Sequence, residues 1–91
     1  KFTFDTPYPN PFNPVTTFKY GLPEDGKVSI SVYNLTGEKV DELLNDTQSS
    51  GFYSMDWNAT SMAAGVYFIQ LEVVENDGNI HQLTQKVILL K

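Results

Sequence analysis

The 91-residue chain carries 11 acidic and 6 basic side chains, a net charge of −5, and no cysteine. That balance argues against recognition of DNA, RNA or an anionic membrane surface by charge, and the length predicts one domain held by packing rather than by disulfides. With 41 % hydrophobic and 13 % aromatic residues it is too apolar to be disordered, and no apolar run reaches the roughly 18 residues of a spanning helix.

The chain opens on lysine, so it is read as a module excised from a larger protein, with residues 1–14 as linker and proline-rich ribbon. In Tyr8-Pro9-Asn10-Pro11-Phe12-Asn13-Pro14, each proline ring fixes its own φ and pushes the preceding residue toward extended or polyproline backbone. Without N–H donors at Pro9, Pro11 and Pro14 the segment cannot enter a sheet interior. Side chains must hold it: Asn10 and Asn13, one polyproline turn apart, are expected to bond neighbouring backbone, with Tyr8 and Phe12 as apolar pegs.

Beyond the ribbon the hydrophobic period is two. Thr16, Phe18, Tyr20 and Leu22 form one alternating face up to the turn Pro23-Glu24-Asp25-Gly26. Val28, Ile30 and Val32 then alternate with Lys27, Ser29 and Ser31, one face to the core and one to water. Leu35-Thr36-Gly37-Glu38 reads as a turn into a strand containing Val40, Leu43 and Leu44, and Asn45 to Ser50 as a polar loop. Tyr53, Met55 and Trp57 share a face, and Trp57 is expected at the centre of the core. After an irregular stretch from Asn58 to Ala63, a long strand follows Gly65 with Tyr67, Ile69, Leu71 and Val73 inward. Asn76-Asp77-Gly78-Asn79 is a hairpin signal, and the last strand covers about Ile80 to Leu90. Strands at this spacing predict an all-β fold, an immunoglobulin-like antiparallel β-sandwich of about seven strands with no disulfide.

Catalytic chemistry is thinly provided. One histidine, His81, is expected to be a solvent-exposed strand residue, and no serine sits in a nucleophile elbow. The acidic turns at Glu24-Asp25-Gly26 and Glu75 to Asn79 lack the spacing of a calcium loop, and turn chemistry accounts for both. No enzyme activity, cofactor or metal is expected. Tyr8, Phe12, Tyr33, Phe52 and Phe68 would form a carbohydrate platform if exposed together. Phe52 and Phe68 fall on the faces opposite the core residues of their strands, and cover by a loop or the ribbon is the expected arrangement. The terminal strand is less ordinary, because Val87 and Leu89 alternate with Ile88 and Leu90 and both faces are apolar. At a sheet edge such a strand is a hazard, so either it is central or something docks on it.

Tyr8 to Thr17, Phe18-Lys19-Tyr20, Leu22-Pro23, Val28 to Tyr33, Gly37-Glu38-Lys39-Val40, Gly65-Val66-Tyr67-Phe68 and the closing Lys86-Val87-Ile88-Leu89-Leu90-Lys91 together resemble the type A C-terminal sorting domain of the type IX secretion system. The middle also resembles the immunoglobulin-like domain of the flagellar hook-capping protein. The resemblance runs from about Thr6 to Lys91, with a shorter Asn58 to Ala63 loop than the family commonly has.

The resemblance implies a non-catalytic address at the C-terminus of a secreted cargo. Outer-membrane secretion machinery reads it, and a sortase-like peptidase removes it as the cargo is attached to the surface of a Gram-negative bacterium, by way of the periplasm. It makes Tyr8, Pro9, Asn10, Pro11, Phe12, Asn13 and Pro14 the structural hallmark, and Gly65, Val66, Tyr67, Val87, Ile88, Leu89, Leu90 and Lys91 the recognition residues. The isolated domain is expected to be a monomer without nucleic-acid partners or a transmembrane segment. The alternative is an accessory sandwich that binds carbohydrate or packs on a neighbouring catalytic domain.

Overall fold

The computed structural model describes residues 2–90, so Lys91, the last expected recognition residue, lies outside the described residues. Seven strands run in chain order: β1 Thr3–Phe4, β2 Val15–Leu22, β3 Gly26–Asn34, β4 Lys39–Gln48, β5 Gly51–Asn58, β6 Gly65–Glu75 and β7 Ile80–Leu89. They form two antiparallel sheets, β1-β2-β5 and β4-β3-β6-β7, the expected sandwich. Period-two alternation is the cause. Thr16, Phe18, Tyr20 and Leu22 of β2 and Val28, Ile30 and Val32 of β3 are all buried, as are Tyr67, Ile69, Leu71 and Val73 of β6.

In the strands β4 and β7 two expectations need correction. Asn45 to Gln48 are strand, not loop, and pair with Ser29 to Gly26. They are polar because β4 is an edge strand, where exposed polar and charged side chains deter pairing with other chains. Register shifts opposite Ile30/Ser31 and Val32/Tyr33 bulge the same edge. His81 is only half exposed: its Nε2 lies 3.2 Å from Oε1 of buried Glu75, and its ring packs on Phe2 with centroids 4.0 Å apart. The polar look of β7 hid this neighbour, which comes from the other end of the chain.

Polar side chains tie the sheets together between β4 and the β2–β5 sheet. Tyr20 donates its hydroxyl to Gln48 Oε1 at 2.7 Å and stacks on Tyr53, and the indole N–H of Trp57 donates to Asp41 Oδ2 at 3.0 Å. Burial pushes the Tyr20 phenol above its usual pKa, with Tyr53 adding to the effect. The neutral phenol is thus favoured by folding, and its contribution holds below the ordinary tyrosine value of about 10 and is lost as pH rises through the folded value. A melting-temperature series should stay level to about pH 9 and fall above about 10. Tyr20→Phe should flatten that fall.

Candidate functional site

The proline segment is a clasp rather than a polyproline ribbon. It bends at Pro9 to Pro11 and again at Asn13 and Pro14, with cis bonds at Tyr8–Pro9, Asn10–Pro11 and Asn13–Pro14. Tyr8, the Pro9 carbonyl, Asn10 and Phe12 attach it to β2 and β7. Tyr8 exchanges backbone hydrogen bonds with Thr17 at 2.8 and 3.0 Å, and Thr16 donates its hydroxyl to the Pro9 carbonyl at 2.8 Å. Asn10 uses both ends of its carboxamide on β7, donating to the Lys86 carbonyl at 2.9 Å and accepting from the Ile88 N–H at 3.0 Å. Phe12 then donates to the Ile88 carbonyl and accepts from the Leu90 N–H, both at 2.9 Å, in a parallel bridge to Leu89.

This settles how the sheet tolerates a sticky last strand. β7 is an edge strand, and its C-terminal half is covered by the molecule's own proline segment. Strand addition by a partner at Lys86 to Leu90 is therefore blocked while the clasp is closed. Of the two asparagines only Asn10 bonds backbone; Asn13 is exposed. Of the two expected pegs only Phe12 is buried, because Tyr8 is 80 % exposed.

The clasp brings the separated hallmarks together. The Phe12 ring lies 5.6 Å from that of Trp57, and Trp57 meets Tyr67 edge-on at 5.3 Å. All three are buried. Gly65, Val66 and Tyr67 pair with Leu89, Ile88 and Val87 in register. Alternation then divides these residues into two groups. Tyr67, Val87 and Leu89 point into the core, whereas Val66 and Ile88 lie side by side, half buried, on the outer face. Leu90 follows at 52 % exposure. Gly65 has φ +151°, a conformation that would strain any side chain although the space there is open.

Sequence reasoning missed Leu35. It sits 72 % exposed at the tip of the β3–β4 turn and lines, with Ala64, Gly65 and Val66, a shallow notch of about 270 Å³. Asn34 builds that turn by accepting at Oδ1 from the N–H groups of Thr36 and Glu38 at 3.1 and 2.9 Å. An apolar residue in a turn that asks for polar ones was the available signal. Phe68 is half buried on the outer face, flanked in register by Tyr33 and Lys86.

The aspartates of the acidic turns already accept hydrogen bonds from within the protein. Asp25 accepts from the Ser50 N–H at 2.8 Å, and Asp77 from the N–H and carboxamide of Asn79, each at 3.0 Å. Among the described residues no three His, Asp or Glu side chains converge as metal ligands, and no helix is long and apolar enough to cross a membrane.

Two solved structures share this fold. The soluble domain of PmoD from Methylocystis sp. ATCC 49242 (Rockwell) superposes with a TM-score of 0.59 at 12 % identity, covering 85 % of this chain and 73 % of that one. CopC from Methylosinus trichosporium OB3b gives 0.57 at 15 % identity, covering 98 % and 93 %. At such identities the likeness extends to architecture alone. No curated protein sequence matches the chain. The family model described as "Secretion system C-terminal sorting domain" matches residues 6–90, from the approach to the clasp through the end of β7. The chain belongs to that family, the C-terminal sorting domains of type IX secretion.

Proposed function

We propose that residues 1–91 form one sorting module that carries an upstream cargo across the outer membrane of a Gram-negative bacterium, from the periplasm to the surface. A sortase-like peptidase then removes it and the cargo is attached to the cell surface. Family membership supports the sorting role. For the site, one observation carries the reading: the two expected recognition segments are register partners, with Val66 and Ile88 adjacent on the outer face and exposed Leu35 and Leu90 beside them. Clustered exposed apolar side chains mark an interaction surface. Their inward neighbours Tyr67, Val87 and Leu89 serve recognition indirectly, by holding the fold.

The test is a fluorescent protein with this chain at its C-terminus, expressed in a type IX-competent bacterium and in a translocon-deficient strain. The wild-type fusion should reach the surface or medium only in the competent strain. Val66→Ser with Ile88→Ser should cut export about tenfold, the effect of losing ~1.4 kcal/mol of contact. Gln82→Ser, exposed on the same strand, should not. Undiminished export of the double variant would sink this assignment of the site.

A further inference from the structure

The sheet opposite the sorting surface carries a second feature that the sorting role leaves unused. Phe52 is 90 % exposed on the outer face of β5, and Tyr8 is 80 % exposed beside β2. Among the described residues no loop or proline segment provides the cover expected for Phe52. Its ring is seated across a glycine instead. A Cβ on Gly21 would stand 3.0 Å from Phe52 Cε1 and 2.7 Å from Thr3 Oγ1, so the missing side chain makes the shelf that the ring borders.

Two adjoining hollows, about 520 and 550 Å³, flank these rings and share Asp5 and Lys19 as walls. They make one groove. Tyr8 pairs with Thr17 and Phe52 with Gly21, so the rings are offset by four residues of β2, or about 13 Å at the rise of a strand. Between them, the side chains of Asp5, Lys19 and Ser54 have no hydrogen-bond or ionic partner among the described residues. An acceptor, a charged donor and a hydroxyl are therefore uncommitted between two aromatic rings.

We infer that this groove is a binding site for a neutral oligosaccharide. The apolar face of a pyranose ring suits the flat exposed faces of Phe52 and Tyr8, and its hydroxyls need both donors and acceptors, which Lys19, Asp5 and Ser54 supply. The Asp5 carboxylate and Lys19 ammonium offset each other in charge, so the groove selects neither an anionic nor a cationic ligand. Its open length fits several linked sugars better than one. An added peptide strand is a poorer occupant, since these groups project from the face of the sheet and not from its edge.

Isothermal titration of the 91-residue chain with cellohexaose, xylohexaose, mannohexaose and maltohexaose tests this, with folding followed by melting temperature. At least one hexasaccharide should bind with a Kd between about 10 μM and 1 mM. Phe52→Ala, at so exposed a position, should keep the melting temperature and weaken binding about tenfold or more. No binding of any of the four to the folded chain overturns the proposal, as does binding that Phe52→Ala leaves unchanged. Concentration-dependent dimerisation that Phe52→Ala abolishes would assign the face to a second copy of this chain, and also overturns it.

Discussion

Trp57→Ala should lower stability by about 3–5 kcal/mol, the range for deleting a large buried aromatic. A domain this small has roughly 5–15 kcal/mol in total, so the variant should be marginal at room temperature and unfolded at modest urea. The indole is 1 % exposed, packs between the rings of Phe12 and Tyr67, and bonds Asp41. Its loss leaves a cavity where three distant parts of the chain meet and removes the donor to Asp41. Urea denaturation followed by tyrosine fluorescence measures this directly. A midpoint within error of wild type would show that the indole does not support the fold.

Opening the clasp should have the next largest effect. Phe12→Ala should cost about 3–5 kcal/mol by the same cavity argument, whereas Asn10→Ala should cost ~1–3 kcal/mol, since it leaves the core intact and deletes two hydrogen bonds to β7. Amide hydrogen exchange separates the two effects. In Asn10→Ala the Ile88 and Leu90 N–H groups, which face the clasp, should exchange much faster, while Ile69 in the central strand β6 keeps its protection. The freed edge should also promote association at high concentration. Unchanged exchange at Ile88 would mean that Asn10 does not hold the clasp shut.

The same residues explain how far the chain could be read without its structure. Alternation in β2, β3 and β6 was legible because each has one face fully buried, and burial imposes a two-residue period that survives in composition. The polar half of β4 reads as loop because an edge strand faces water along much of its length and need not be apolar. Tyr8 and Phe12 looked equivalent as aromatic neighbours of proline, and Asn10 and Asn13 as equivalent amides. Only the docking of the segment against β7 separated them.

By itself, the sequence determined the sandwich, its buried faces, Trp57 at the centre, and the segments that mark the sorting family. The first three follow from local rules of side-chain period and turn chemistry, and the last from the resemblance of those segments to the family. The tertiary structure alone decided that β7 lies at an edge and that the proline clasp covers it. It alone set Gly65–Tyr67 beside Val87–Leu89, exposed Leu35, and left Phe52 on an open face. Each of those depends on which strands become neighbours, a choice made by contacts between residues far apart in the chain, such as Asn10 and Ile88, 78 residues apart, that no local pattern encodes.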